Sequence, residues 1–408
     1  MTASIDEITP ASPSELARFL TDNARAEKRP VMPVGGRTAL RTGLPVQGNP
    51  QRISTSSLAQ VIDYPARDLT ITVQSGIRVS ELQRILVEEG QRLPLDIPDA
   101  GRATLGGALA TNTSGPGRYG HGTFRDFVIG ISGVDGTGRL FSAGGRVVKN
   151  VAGYDICKLM IGSLGTLAVV TEVTLKLRPT VEERRILWLS FDSAIAAEVA
   201  LQGLTTTATR PVAVELLNPL AVSALRGDAA IVDPPPGHAL CIAFEGTRTQ
   251  CEWQMATLIA EVARANPREL RELSDASSES LWKGLVEFQA AGDDPATFTA
   301  SLPPSKVAAF VDEATNAEIA IQAHAANGIV IGHLPDRCVS PSSVNEIVRP
   351  RRARAEAEGG SLVLWNCEDA WKAECSVFGA SRQNARWMQQ VKLAMDPHNL
   401  MSPGRLSV

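Results

Sequence analysis

Residues 144–179 read GGRVVKNVAGYDICKLMIGSLGTLAVVTEVTLKLRP. Two textures meet in this stretch. Gly162-Ser163-Leu164-Gly165-Thr166 carries little side chain to bury, whereas 167–177 is mostly apolar or β-branched and predicts a strand that Pro179 closes. A glycine-rich run feeding a buried strand lets backbone, rather than side chain, wrap around something large. Lys149 and Tyr154, just before it, read by themselves as a solvated charge and a core ring.

Two further side-chain-poor segments lie upstream. Pro33-Val34-Gly35-Gly36-Arg37-Thr38 follows a short apolar run. Its glycines allow backbone N–H groups to converge on an anion, with Arg37 or Arg41 adding charge. Alone, that loop is only a tight turn with an exposed arginine. Thr104-Leu105-Gly106-Gly107-Ala108-Leu109-Ala110-Thr111-Asn112, continued by Ser114-Gly115, suits a segment lying flat against a planar ligand. Its Thr, Asn and Ser side chains supply hydrogen bonds, and its embedded Leu and Ala argue against a flexible surface loop.

In this order and spacing the segments resemble the FAD-binding domain of the vanillyl-alcohol-oxidase/p-cresol-methylhydroxylase (PCMH) superfamily. That domain shows a PxGGGT-like loop, a TLGGxxATNxxG segment and KNVAGYDLxKLxIGSxGTLGVITE; here the last is KNVAGYDICKLMIGSLGTLAVVTE. The likeness covers residues 28–180, and a DPxxLxxPGR-like ending (Asp396, Pro397, Leu400, Pro403, Gly404, Arg405) extends it. Within the superfamily the chain is most similar to the smaller, E-type FAD-binding subunits of glycolate oxidases.

The resemblance implies an α+β fold. A two-part PCMH-type FAD-binding domain would span 1–180, an α+β cap or substrate domain 181–350, and a C-terminal segment, 351–408, would return to the FAD domain. It implies that Pro33, Val34, Gly35, Gly36, Arg37 and Thr38 hold the pyrophosphate. Pro98, Thr104, Gly107, Thr111, Asn112 and Ser114 would line flavin and ribityl; Gly162, Ser163, Thr166 and Val170 would approach the adenosine half or its linker. FAD is expected to be non-covalent, because no His or Cys lies in the glycine loop and His121 is the one awkward candidate. Implied partners are a larger FAD subunit, an iron–sulfur subunit and a small 2-hydroxyacid substrate.

Members acting on D-2-hydroxyacids carry a metal-binding HxGDGNxH and a later EHG segment. At the comparable place this chain reads His333-Leu334-Pro335-Asp336-Arg337-Cys338-Val339-Ser340, with Glu368-Asp369 and Glu374 as the nearest later acids. One histidine and a distant acid do not make a metal site, so none is expected. His333 is the candidate base for the hydroxyl proton, or else a structural remnant of a decayed motif. His121 and His324 read as a loop residue and a helix-face residue.

The totals set outer bounds. Net charge is −4 and the pI about 5.9, so no global positive field favours nucleic acid. Six scattered cysteines without a CxxC pair exclude an ordinary iron–sulfur or zinc framework and suit reduced thiols. Reduced flavin must therefore unload onto oxygen, a quinone or a partner. The start, MTASIDEITPASPSELARF, lacks a secretory pattern and no apolar run is long enough to span a membrane. The expectation is a cytoplasmic protein, peripheral to the membrane only through partners, that no nucleic acid engages.

Local patterns predict helices at 13–28 (capped by Ser14), 79–90 (capped by Ser80, stopped by Gly90), 193–203, 251–265 and 380–395. They predict strands at 51–63, 69–75, 127–134, 139–142, 184–191, 212–217 and 239–245. Three functions fit: an FAD subunit of a 2-hydroxyacid oxidase complex, a stand-alone flavoenzyme for a 2-hydroxyacid or alditol, and an assembly subunit that FAD merely stabilises.

Overall fold

The computed structural model describes residues 6–145, 154–228, 235–290, 292–380 and 384–406. Lys149 lies outside the described residues, as does part of the helix expected at 380–395, of which Ala385–Met395 is described. The chain divides into two compact units. The first comprises Met1–Ser114, Thr123–Thr180 and Ala380–Val408, the second Gly115–Gly122 and Val181–Gly379.

In the first unit, the opening helix runs Pro13–Arg25 and its cap is Ser12, whose Oγ accepts from the Glu15 N–H at 3.2 Å. Ser14 cannot cap because Pro13, lacking an N–H and fixed in φ, already occupies the first helical position. Leu16 and Leu20 point inward onto Val31, Ile53, Val134, Val169 and Met401. Val31 and Ile53 belong to a small parallel sheet in which Gln51–Ser54 lies between Glu7–Ile8 and Val31–Val34.

The segment expected as one strand over 51–63 is broken. Gln51–Ser54 and Val61–Asp63 serve different sheets, because the chain turns at Thr55–Leu58. The second sheet is antiparallel, with strands in the order Val61–Asp63, Thr70–Gln74, Ala168–Lys176, Val128–Asp135 and Leu140–Gly144. Helix Val79–Glu88 packs Val79, Leu82 and Leu86 against it, the i, i+3, i+7 spacing of one apolar stripe. Arg78, not Ser80, precedes this helix, since a bridge from Arg78 to Thr104 turns the chain two residues earlier.

The second unit is built on an eight-stranded antiparallel sheet. Its order is Glu269–Leu273, Glu183–Phe191, His238–Gly246, Ala213–Leu217, Ala320–His324, Ile329–His333, Ala296–Ser301 and Ser361–Cys367. Trp188, Ala213, Leu217 and Cys241 project from one face onto Leu281 and Leu285 of the helix Asp275–Glu287. His324 stands in a strand, not on a helix face. The reason is the period-2 alternation of apolar Ile321 and Ala323 with polar Gln322 and His324, all four buried. Among the described residues no helix is long and apolar enough to cross a membrane.

Candidate functional site

Three segments of the first unit meet around a cleft of about 770 Å³, open solvent at its mouth included. Strand Val31–Val34 delivers the chain into the loop 35–40, where Arg37 takes the left-handed conformation at φ 63°. Thr104 locks this loop to the second segment. Its Oγ1 accepts from the Gly36 N–H and from the Gly107 N–H, each at 3.3 Å, and so also caps the helix Leu105–Thr111.

The close approach requires glycine. A Cβ on Gly35 would stand 2.0 Å from Thr104 Oγ1, and one on Gly36 would stand 1.9 Å from the Arg102 carbonyl oxygen. The third segment is laced to the second by Gly162 N–H to the Leu109 carbonyl at 3.0 Å and Leu164 N–H to the Ala110 carbonyl at 2.9 Å. Gly165, at φ 69°, then passes beside the Pro33 ring.

Of the residues singled out from sequence, Pro33, Val34, Gly35, Gly36, Arg37, Thr38, Gly107, Thr111, Ser163 and Val170 line one cleft. Thr104 shapes its wall. Pro98, Asn112, Ser114, Gly162 and Thr166 do not line it. Thr166 instead fixes the loop, its Oγ1 donating to the Ser163 carbonyl at 2.7 Å. Tyr154 is no core ring; it is 96% exposed. Thr55 and Ser75 line the cleft without having been foreseen, since isolated polar residues give no periodic or compositional signal; Arg405 of the PGR ending lines it too, although the motif alone assigns it no role.

The cleft's chemistry suits an anion with a long apolar or aromatic body. Among the described residues no carboxylate lines it, and the charged ones that do are Arg37 and Arg405. Among the described residues, the backbone N–H groups of Arg37, Thr38 and Ala39 donate to no protein acceptor. Without protein acceptors, they are donors that an oxyanion can take up. Outside the cleft lining, the Asn112 Oδ1 is a buried acceptor without a protein donor. These groups fit a dinucleotide carrying a diphosphate.

In the second unit, His333 ends the strand Ile329–His333. Its Nδ1 lies 2.7 Å from Asp294 Oδ2, its ring sits 4.4 Å from that of Phe288, and its Nε2 is buried with no partner among the described residues. The residues after it build structure. Asp336 and Arg337 form a turn, Arg337 pairs with Glu318, and Ser340 caps the helix Pro341–Ala357 through a reciprocal bond with Ser343. Asp369 pairs with Lys372. Among the described residues no three His, Cys, Asp or Glu side chains gather as a metal site.

Two other histidines are held by buried carboxylates. His324 Nδ1 lies 2.7 Å from Glu215 Oε1, and Gln322 donates to the other carboxylate oxygen at 2.7 Å. His121 Nε2 lies 2.8 Å from Glu245 Oε2, whose partner oxygen accepts from Arg184 at 2.7 Å. The Arg118 guanidinium is held below its ordinary pKa by burial, an effect that the nearby Glu215 carboxylate opposes.

Sequence comparison meets this geometry from another side. Residues 7–144 match the family described as FAD binding domain, and residues 180–365 match FAD linked oxidases, C-terminal domain. The chain belongs to the FAD-linked oxidoreductases. Similar to it is the glycolate oxidase subunit GlcD of Bacillus subtilis (strain 168), 26% identical over 98% of this chain and 88% of the relative. The D-lactate dehydrogenase of Archaeoglobus fulgidus is 24% identical over 98% of this chain and 90% of its own length. The glycolate oxidase subunit GlcE of Escherichia coli (strain K12) is 36% identical over only 39% of this chain and 45% of its own.

Among solved structures, alkyldihydroxyacetonephosphate synthase superposes with a TM-score of 0.65 at 17% identity, covering 97% of this chain and 76% of that one. The two family matches and this superposition together give the oxidoreductase a two-domain PCMH-type FAD-binding fold of mixed helix and sheet. FAD is its cofactor.

Proposed function

We propose that this oxidoreductase oxidises a small 2-hydroxyacid, and that its FAD lies in the cleft bounded by residues 33–40, 104–111 and 163–170. The observation that carries this reading is the convergence of three side-chain-poor segments on a cleft with N–H donors that have no protein acceptor and, among the described residues, no carboxylate. Pro33, Val34, Gly35, Gly36, Arg37 and Thr38 would hold the diphosphate. Thr104, Gly107 and Thr111 would border the flavin and ribityl, with Pro98, Asn112 and Ser114 supporting them, and Ser163 and Val170, supported by Gly162 and Thr166, would approach the adenosine half or its linker. Bound FAD supplies a hydride acceptor.

The chain's own part is then to orient the hydroxyacid and move its hydroxyl proton. His333 suits that proton transfer: Asp294 fixes one ring nitrogen at 2.7 Å, which leaves Nε2 as the exchanging atom. With no histidine or cysteine in the loop 33–40, the cofactor is held non-covalently, and His121 is engaged by Glu245.

The motif KNVAGYDICKLMIGS and the PGR ending favour an E-type subunit of a glycolate oxidase, in the cytoplasm, working with a larger FAD subunit and an iron–sulfur subunit. A second reading, a stand-alone dehydrogenase, is favoured by the near full-length likeness to the Bacillus GlcD and Archaeoglobus proteins.

One experiment separates the readings. The purified chain is scanned for flavin absorbance, then mixed anaerobically with glycolate, D-lactate or D-2-hydroxyglutarate. Bleaching by one of these in the isolated chain supports the stand-alone enzyme; bleaching only with the partner subunits supports the complex. A flavin that no hydroxyacid bleaches in either setting overturns the substrate assignment. His333→Gln should slow bleaching on the order of a hundredfold and leave flavin content unchanged.

A further inference from the structure

The eight-stranded sheet of the second unit carries a buried polar cluster that the proton transfer assigned to His333 does not use. Glu215 stands opposite His324 on the neighbouring strand, and Gln322, two residues earlier, shares that face of the sheet. None of the three is more than 1% exposed. Both carboxylate oxygens are taken: His324 Nδ1 lies 2.7 Å from Oε1, and Gln322 Nε2 donates to Oε2 at 2.7 Å. Left over are His324 Nε2 and Gln322 Oε1, each buried with no partner among the described residues. The cation of the cluster is Arg118. Its short helix, Arg118–His121, is pinned to the same sheet at two points: the Gly120 N–H donates to the Val212 carbonyl at 3.0 Å, and His121 Nε2 meets Glu245 at 2.8 Å. Arg118 is half-buried, and burial lowers its pKa against the pull of Glu215. Among the described residues its side chain makes no hydrogen bond and no ion pair.

We propose that Arg118, His324 Nε2 and Gln322 Oε1 form a binding site for a small carboxylate that also carries a hydroxyl. The site is independent of the role given to His333. A guanidinium fork matches both oxygens of a carboxylate, and a partly desolvated cation without direct bonds gains most from one. Glu215 supplies counter-charge at a distance but no bond, because His324 and Gln322 already hold its oxygens. It is a positioning residue. Gln322 presents its amide oxygen, an acceptor, so the ligand group that matches it is a donor such as a hydroxyl. An arginine of purely structural use has its donors on protein acceptors, as Arg184 has on Glu245 and Glu279.

The test uses the full-length flavoprotein, kept anaerobic with its flavin pre-reduced so that no hydride moves. Calorimetric titration with glycolate and with acetate reads the carboxylate and the hydroxyl separately. Wild-type protein should bind glycolate more tightly than acetate. Arg118→Met should weaken glycolate binding on the order of a hundredfold with flavin content and thermal melt unchanged, and Arg118→Lys, which keeps the charge and loses the fork, should recover part of that loss. Wild-type glycolate affinity in Arg118→Met overturns the proposal, as does a wild-type protein that binds neither acid or prefers acetate. Should the variants fail to fold, the wild-type protein decides. Saturating glycolate should slow phenylglyoxal labelling of Arg118, mapped by mass spectrometry, and unslowed labelling overturns the proposal. Flavin bleaching by a hydroxyacid then tells where the carboxylate comes from. If Arg118→Met raises the half-bleaching concentration by a similar factor, the site holds the substrate; if bleaching keeps its wild-type dependence while calorimetric binding is lost, it holds a second small carboxylate.

Discussion

Lys392 Nζ and Asp396 Oδ2 lie 2.5 Å apart, one helical turn from each other, with the aspartate side chain fully buried. The same ammonium also donates to the Thr166 and Met401 carbonyls, each at 2.7 Å, and burial holds its pKa below the ordinary lysine value. Asp396 in turn accepts from the Leu400 and Met401 N–H groups. Lys392→Met leaves that carboxylate buried without its cation. The expected loss of stability is about 3–5 kcal/mol by chemical denaturation. A loss under about 1 kcal/mol would show that the pair is dispensable.

Gly36→Ala tests the cleft with a single methyl group. The added Cβ would stand 1.9 Å from the Arg102 carbonyl oxygen, so loop and Thr104 must part. Flavin content of the purified variant should fall at least tenfold, about 1.4 kcal/mol. Gly101→Ala, where an added Cβ meets nothing within 4 Å, should retain wild-type flavin. Equal flavin in both variants would move the cofactor to another place.

All six cysteines are buried and free, and burial raises every one of their thiol pKa values, to about 11 for Cys251 and for Cys367. Thiolate, the reactive form, is therefore scarce. Ellman's reagent at pH 8 should label the native protein on the timescale of unfolding and all six sites at once in denaturant. A thiol that reacts within seconds in the native state would contradict this burial.

His238 adds a pH dependence. Burial lowers its pKa from the ordinary 6.5, outweighing the nearby Asp312 carboxylate. The unfolded chain thus binds the proton more tightly, so His238 contributes stability above pH 6.5 that is lost as pH falls through its folded value. The melting temperature should drop between pH 7.5 and 5.5, and His238→Gln should flatten that drop. An unchanged slope would remove His238 from the balance.

Much of the first unit was legible because its signals are local. The alternation in LTITVQS, the Asp135-Gly136-Thr137-Gly138 turn and the apolar run before Pro179 each act within a few residues, and the strands Thr70–Gln74, Val128–Asp135 and Ala168–Lys176 stand where these predict. Caps were misplaced by two residues, at Ser14 and Ser80, where Pro13 and the Arg78–Thr104 bridge decide the register. Thr55 and Ser75 were invisible as site residues because they reach the cleft through tertiary contacts alone, and the PGR motif marked Arg405 without placing it in the cleft. The Glu215–His324 pair was missed for the same reason: 109 residues separate its members.

The grip of Arg405 on Leu40 spans 365 positions of chain, and Val31 likewise waits for Leu400 and Ser402 to complete its hydrogen bonds. A polypeptide emerging from the ribosome can therefore close its middle sheet while the opening segment still lacks its last neighbours. Nascent chains should pass through a stage in which half of the unit is competent and the nucleotide-holding half is not. Cofactor supply then matters most once residues 400–405 have joined the fold.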